Sequence, residues 1–308
     1  ATRWWERGPL LFLMVGVLFR GISTYSRGAF LSCGVLVVML LFRSKHKVRD
    51  LIATSLKQIP DGRDTGELKL ITTAVKELRY AYRIFGQYPE PNKVTIFGSA
   101  RTPADHPDYR DTVQFSRLMA DAGWMVITGA GSGIMAAAQG GAGREASFGV
   151  NIRLPFEQAA NEVMAGDHKL INFPSFFTRK VVFVKESHAI ALFPGGFGTH
   201  DEGFEALTLI QTGKSPIMPV VFVDAPGGSY WKDWEAWVRS HLAGQHLISE
   251  RDSSLFRVTD DVDTAVHEIL NFYSNFHSSR YVADRLVLRL RQAPSPAQLD
   301  ALNGDFSE

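Results

Sequence analysis

The residues best suited to catalysis are concentrated in one segment, residues 194–202, with the sequence PGGFGTHDE. The three glycines leave main-chain N–H groups accessible, and free N–H groups at the start of a helix bind anions such as phosphate. Asp201 and Glu202 add two carboxylates at the start of the helix predicted over 201–213. The spacing alone favours a simpler alternative for Glu202, because Thr199 and Glu202 also fit a capping box that serves only its own helix.

Two more turns contain glycines and small residues directly after apolar runs. Residues 128–135 read TGAGSGIM, whose glycines indicate anion binding, with a purely packing role as the alternative. Their spacing does not match a dinucleotide fingerprint, and the lysine that marks an ATPase phosphate loop is absent. Residues 97–101 read FGSAR, where Ser99 offers a hydroxyl to a phosphate or a ribose. The alternative for that segment is an ordinary turn at the end of a strand.

The elements that must position these turns alternate between short apolar runs and helical patterns. Strands are predicted over 93–97, 124–128, 149–154, 189–193 and 219–223. Helices are predicted over 66–85, 108–122, 133–145, 175–187, 201–213, 231–243 and 261–274. Because the runs lack strict alternation, the strands should be buried on both faces of a parallel sheet. The predicted fold is α/β, a Rossmann-like doubly wound parallel sheet flanked by helices, with an N-terminal hydrophobic helical segment. Ligands of such a sheet bind at the carboxyl ends of its strands.

The motifs as a set resemble those of the Lonely Guy (LOG) family of phosphoribohydrolases, which was long labelled lysine decarboxylase. PGGFGTHDE matches the family's PGGxGTxxE motif, and Arg179-Lys180 matches the Arg-Lys pair on the preceding helix. TGAGSGIM and FGSAR resemble its other two elements, so that the likeness covers about residues 93–275. The chain is most similar to the bacterial branch that acts on purine nucleotides such as AMP. Ala130 stands where many members have glycine, and His188 where many have aspartate.

This resemblance implies hydrolysis of the N-glycosidic bond of a nucleoside 5′-monophosphate to free base and ribose 5-phosphate. It implies that Arg179 and Glu202 are catalytic, without a metal or a cofactor, in a homodimer or larger homo-oligomer. The residues expected to bind substrate or phosphate are Ser99, Gly131, Gly133, Lys180, Gly195, Gly196, Gly198 and Thr199. His106, His188 and His200 are interpreted as surface or turn residues, and Asp201 as a partner of the helix dipole.

Other function classes are weighed against this one. A molybdenum-cofactor carrier or another non-catalytic nucleotide-binding protein shares the fold, although such a protein has no need of both Arg179 and Glu202. A nicotinamide-dependent oxidoreductase needs an acidic residue at the end of the second strand, where Thr128 and Gly129 stand instead. No lysine lies in a context that suggests a Schiff base for a pyridoxal phosphate decarboxylase.

Composition limits the remaining classes. The 308 residues include 33 Lys and Arg against 32 Asp and Glu, so a net charge of +1 gives no indication of nucleic-acid binding. The single cysteine, Cys33, excludes an intramolecular disulfide framework and a multi-cysteine zinc site. With 45% hydrophobic residues the bulk of the chain is expected to be a soluble α/β protein of the cytoplasm.

The N-terminal part of the sequence has a different character. The apolar runs 9–19 and 29–42 are shorter than a single bilayer span, yet basic residues flank both ends, as in a helical hairpin with cytoplasmic ends. A leader, a buried oligomerisation hairpin and sequence foreign to the working protein are the alternatives, so membrane association through 9–42 stays open. The predicted organisation is a hydrophobic segment (1–49), a helical extension (50–92), a catalytic domain (93–293) and a flexible tail (294–308). Residues 280–289 are predicted to form an amphipathic helix that docks on a partner subunit.

Overall fold

The computed structural model describes residues 46–153, 159–283 and 285–306. The chain divides into two compact units, Ala1–Thr72 and Thr73–Glu308. The described part of the first unit consists of helix α1 (His46–Lys57) and the beginning of helix α2 (Thr65–Phe85). The apolar runs 9–19 and 29–42, and with them the predicted hydrophobic segment, lie outside the described residues. In the ranges that are described, no helix has both the length and the apolar character needed to cross a membrane.

The second unit is built on a parallel sheet of seven strands in the spatial order β4-β3-β2-β1-β5-β6-β7. The strands are β1 (Lys93–Phe97), β2 (Met125–Thr128), β3 (Ser147–Ile152), β4 (Leu170–Phe173), β5 (Ala189–Leu192), β6 (Val220–Val223) and β7 (Arg257–Thr259). The first four strands proceed in one direction from β1, and β5 to β7 proceed in the other. The prediction of a doubly wound, Rossmann-like parallel sheet is therefore confirmed.

Helices cover both faces of this sheet. They are α3 (Pro107–Asp121), α4 (Ile134–Ala142), α5 (Phe176–Glu186), α6 (Phe197–Gln211), α7 (Tyr230–Trp237) and α8 (Val262–Asn275), with a π-helix (Val238–Ala243) and a 3-10 helix (Glu250–Leu255). One apolar core joins the sheet to the end of α2 and to α5, α6 and α7, and a second joins it to α3, α4 and α8. Strands β2, β5 and β6 are buried at every residue, which explains why their sequences lack an alternation of apolar and polar residues.

The C-terminal part differs from its prediction. Residues 280–289 were predicted as a helix, and this is wrong, because they belong to an antiparallel hairpin of β8 (Phe276–Val282) and β9 (Arg285–Leu290). Ala283 in the connecting turn has φ +54°, a left-handed conformation of the kind that tight hairpin turns use. A final helix, α9 (Pro296–Asp305), begins at the capping box of Ser295 and Gln298.

Candidate functional site

The three glycine-containing turns meet where the winding of the sheet reverses. Phe97 at the end of β1 is in register with Leu192 at the end of β5, so the turns that follow these two strands are neighbours. The Ser99 N–H donates to the Pro194 carbonyl at 3.1 Å, and the Ile134 N–H donates to the Ser99 carbonyl at 3.0 Å. This is the switch point at which doubly wound sheets bind their ligands.

A cavity of about 770 Å³ opens at this switch point. Seven of the predicted site residues line it, namely Ser99, Arg179, Gly195, Gly196, Gly198, Thr199 and Glu202. Three others, Gly131, Gly133 and Lys180, are not among the lining residues. The structure therefore brings together the two predicted catalytic side chains and the turn of the PGGFGTHDE segment.

Gly133 does not line the cavity itself but packs against Ser99 and Ala100, which do. It has φ +61°, and a Cβ built there lies only 2.3 Å from the carbonyl oxygen of Ser99. Only glycine combines this left-handed conformation with so close an approach of two main chains. The residue thus allows the second turn to pack against the first.

The turn after β5 starts helix α6 earlier than predicted. Gly196 is the N-cap and Phe197 the first helical residue, so Thr199 and Glu202 both lie inside the helix. The capping-box interpretation of Thr199 and Glu202 is therefore wrong, because a capping box requires the threonine at the N-cap. The Thr199 side chain packs against Gly195, where a Cβ would lie 2.1 Å from its Oγ1 atom.

The start of α6 offers main-chain donors to the cavity. Among the described residues, no group accepts a hydrogen bond from the N–H of Gly196, Phe197 or Gly198, and all three residues line the cavity. The first N–H groups of a helix have no partner within the helix, and they carry partial positive charge. This end of the cavity is therefore suited to an anion.

Glu202 is the most perturbed acid of the cavity. Its side chain is only 8% exposed, and no hydrogen-bond partner for it occurs within the described ranges. Burial raises its pKa to about 7, although the positive charges of Lys180 and Arg179 act in the opposite direction. A carboxyl group with such a pKa changes its protonation state near neutral pH, as a general acid or base must.

Arg179 reaches the same cavity from helix α5. Its Nε donates to the carbonyl oxygen of Val150 at 2.9 Å, and its guanidinium lies 4.9 Å from the centre of the Phe183 ring. Burial lowers the pKa of Arg179, an effect that the charge of Glu202 opposes. A Cβ at Gly129 would lie 2.6 Å from Nη2, so this glycine leaves space for the guanidinium.

Lys180 faces acidic side chains of α6. Its ammonium group forms 2.7 Å ion pairs with Asp201 and with Glu205. Lys180 is predicted to contact phosphate, but it is not among the residues that line the cavity. The two ion pairs instead connect helix α5 to helix α6, at one residue before Glu202 and one after it.

Sequence reasoning missed several residues of the cavity. Arg101, Phe176 and Phe197 line it, and so do His200 and Tyr230. His200, interpreted from the sequence as a surface or turn residue, is partly buried in the first turn of helix α6 and lines the cavity. Arg101 and His200 lie inside the quoted motifs and were open to prediction, whereas Tyr230 follows β6 with no motif of its own. Across the described ranges, no group of three or more His, Cys, Asp or Glu residues is arranged to hold a metal ion.

Comparison with known proteins gives a family match and likenesses of fold. The family model described as possible lysine decarboxylase matches residues 132–269, which include Arg179 and Glu202. The chain is thus similar to this family over its central part. Among the curated proteins searched, none matches the sequence.

Solved structures with a similar fold include a molybdenum cofactor carrier protein and a molybdenum cofactor binding protein. The molybdenum cofactor carrier protein of Chlamydomonas reinhardtii is 20% identical, with a TM-score of 0.41, over 60% of this chain and 99% of that one. The molybdenum cofactor binding protein of Rippkaea orientalis is 20% identical, with a TM-score of 0.40, over 60% and 99%. DNA processing protein A of Helicobacter pylori is 14% identical, with a TM-score of 0.41, over 61% and 83%. None of these likenesses identifies a ligand or an activity for this chain.

Proposed function

We propose that the protein hydrolyses the N-glycosidic bond of nucleoside 5′-monophosphates, AMP or related purine and cytokinin nucleotides, to the free base and ribose 5-phosphate. The observation that carries the proposal is the buried carboxyl group of Glu202, with a pKa of about 7, in one cavity with Arg179 and with unpaired main-chain donors. The family match over residues 132–269 supports it, because the match includes both side chains.

The 5′-phosphate is assigned to the start of helix α6. The N–H groups of Gly196, Phe197 and Gly198 provide donors without the desolvation that lysine side chains require. Arg101 lines the same cavity and adds a planar donor suited to phosphate oxygens. The Ser99 hydroxyl accepts from the Arg101 N–H at 3.1 Å, which leaves its own proton for a phosphate or ribose oxygen. Gly133 acts indirectly, through the close packing of the two turns.

Glu202 acts at the anomeric carbon. When the bond between C1′ and the base nitrogen breaks, its electron pair leaves with the base, and positive charge develops on the sugar. A carboxylate beside that carbon stabilises the charge, as in glycoside hydrolysis. Water then adds to C1′, and the carboxylate accepts the proton that the water releases. That proton is later passed to the departed base or to solvent, which balances the reaction.

Arg179 positions the substrate for this step. Its Nε is occupied by the Val150 carbonyl, so the two terminal nitrogens are the ones available to a ribose oxygen or to the leaving base. Lys180 contributes through charge, since its ammonium group lowers the pKa of Glu202 and holds Asp201 in place.

A homodimer or larger homo-oligomer remains part of the proposal. Phe176 and Phe197 line the cavity and are 54% and 97% exposed, and Phe177 and Val181 on the same helix as Phe176 are also exposed. Apolar side chains clustered on a surface favour association with another protein surface. Sedimentation velocity of the full chain is expected to show a dimer or a larger species, and a monomer at micromolar concentration would remove this part of the proposal.

The activity is tested by chromatography of the full chain incubated with AMP, GMP, CMP and cytokinin-type nucleotides. We expect release of free base, with a loss of about a hundredfold or more in the Glu202→Ala variant, the usual cost of removing a catalytic acid or base. Glu235→Ala is the matched control, because Glu235 forms an exposed ion pair with Arg239. If folded protein binds these nucleotides but cleaves none, the enzyme proposal fails and a carrier of nucleotide-like ligands replaces it.

A further inference from the structure

We propose that Tyr230 and His200 are positioning residues that fix the anion-binding turn of the cavity through a chain of hydrogen bonds to the Gly195 carbonyl. The inference rests on the proposed function for the identity of the ligand, a phosphomonoester. It adds to the motif residues Gly195 and His200 a residue from outside every motif, since Tyr230 begins helix α7, beyond strand β6.

The chain consists of two hydrogen bonds. The Tyr230 hydroxyl donates to the main-chain carbonyl of Gly195, and the His200 Nε2 atom lies 2.7 Å from the same hydroxyl oxygen. A phenol has one proton, and a carbonyl oxygen can only accept, so that proton is directed to Gly195. His200 must therefore donate from Nε2, which fixes its tautomer when the ring is neutral.

The surroundings keep this chain in one arrangement. The His200 ring lies 6.4 Å from the ring of Phe204 and 5.4 Å from that of Trp231, and Trp231 is fully buried. Burial lowers the pKa of His200, which favours the neutral ring. Burial also raises the pKa of Tyr230, so the hydroxyl keeps the proton that it donates.

Fixing the Gly195 carbonyl also fixes the donor that follows it. The Gly195–Gly196 peptide is trans, as are all peptide bonds in the described chain. The Gly195 carbonyl and the Gly196 N–H therefore lie in one plane and point in opposite directions. The Gly196 N–H is one of the three donors without a partner at the start of α6. Glycines on both sides of this peptide leave its rotation weakly restrained by their own conformational preferences. Tyr230 supplies the missing restraint from outside the turn.

The test measures binding of inorganic phosphate, AMP and adenosine to the full chain by calorimetry. Tyr230→Phe removes only the donating oxygen, and His200→Leu removes the nitrogen that orients it. His200→Gln is the conservative variant, because its amide nitrogen retains a donor near the position of Nε2. Tyr273→Phe is the matched control, since the Tyr273 hydroxyl donates to the His188 carbonyl at 2.6 Å and does not line the cavity.

We expect Tyr230→Phe to weaken binding of phosphate and AMP about five- to tenfold, the effect of one lost hydrogen bond. Adenosine binding should stay unchanged, and the KM of AMP should rise more than kcat falls. His200→Leu should show a similar effect and His200→Gln a smaller one. The double variant should be little worse than Tyr230→Phe, because the two residues act through one carbonyl.

The inference is overturned if Tyr230→Phe binds phosphate and AMP as the parent does, or if adenosine binding weakens by the same factor. It is also overturned if the parent protein binds no phosphate. A parent that binds phosphate and AMP but cleaves no nucleotide refutes the proposed reaction alone, and the comparison of variants then still decides the role of Tyr230. Thermal unfolding of each variant shows whether a loss of binding reflects loss of fold.

Discussion

The Nε atom of Arg179 donates a 2.9 Å hydrogen bond to the carbonyl oxygen of Val150, and this bond ties the cation of helix α5 to strand β3. Because the bond uses the inner nitrogen of the guanidinium, the two outer nitrogens remain for a ligand in the cavity. The main chain of the central sheet, together with the Phe183 ring, thus holds the cation in place.

Arg179→Lys should behave almost as badly as Arg179→Ala. A lysine has a single nitrogen at its tip and no equivalent of Nε, so it cannot keep the bond to Val150 at Nε while two separate terminal nitrogens face the ligand. We expect a loss of about a hundredfold in kcat/KM for nucleotide hydrolysis, as for other misplaced catalytic groups. Arg239→Lys, in an exposed ion pair with Glu235, should leave kcat/KM within about twofold of the parent, since such pairs contribute little. Activity of Arg179→Lys close to that of the parent would contradict this role.

The rate of hydrolysis should follow the ionisation of Glu202. The proposed step requires the carboxylate, and burial raises the pKa of this group to about 7. The value of kcat/KM should therefore rise about tenfold per pH unit below 7 and level off above it. The phosphate of the substrate titrates about one unit lower, near 6, so the two transitions can be separated. A rate that falls between pH 6 and pH 8 would indicate that Glu202 acts as an acid instead.

Lys180→Met should move this profile without abolishing activity. The ammonium group lowers the pKa of Glu202, and it also pairs with Asp201 and Glu205, whose charges raise that pKa. Its removal should shift the rising limb to higher pH, with a loss of about three- to tenfold at pH 6 and little change at pH 9. Lys185→Met on the same helix serves as the control, because Lys185 pairs with Glu186 at the surface. A loss of equal size at every pH would assign Lys180 to substrate binding.

Much of the fold was predictable because apolar runs and glycine turns alternate along the chain. Within the parallel sheet, the prediction missed β4 and β7. Strand β4 includes the exposed Asn172, and β7 has only three residues, two of them polar, so neither forms an apolar run. The hairpin was mistaken for a helix because Arg285 and Arg289 lie four residues apart, a spacing that also fits one face of a helix. Its positive-φ turn at Ala283 lacks the glycine that usually marks such turns.

The candidate site was predictable only where its residues lie within one motif. Glu202 and Arg179 were identified from their motifs, but the burial that raises the pKa of Glu202 results from packing between distant segments. The contact of Tyr230 with Gly195 joins residues 35 positions apart, and no local pattern encodes it. The capping box, a local rule, failed because the helix begins at Phe197.

Gly133 in the second turn and Gly140 in helix α4 should differ sharply in their tolerance of an alanine side chain. Gly133 has φ +61°, and Gly133→Ala places a methyl group 2.3 Å from the Ser99 carbonyl oxygen. We therefore expect the free energy of unfolding to fall by about 2 kcal/mol or more. Gly140→Ala, inside helix α4 with open space around its Cα, should stabilise the protein by about 0.5–1 kcal/mol. Urea unfolding of the two variants measures both effects, and equal stabilities would show that the two turns do not pack as described.

Glu202→Gln should stabilise the protein while it inactivates the enzyme. The folded pKa of about 7 lies above the ordinary value of 4.5, so folding favours the protonated acid. Its stability contribution is present in full below pH 4.5 and is lost as the pH rises from there through 7. A glutamine mimics the protonated form at every pH. The gain in the free energy of unfolding should be about 3 kcal/mol at pH 8 and about 1 kcal/mol or less at pH 5. Urea titrations at the two pH values measure this gain, with Glu235→Gln, at a partly exposed ion pair with Arg239, as the control. A gain that does not grow with pH would show that Glu202 is not a buried acid with a raised pKa, and both the pH profile and the proposed role of the residue would then have to be abandoned.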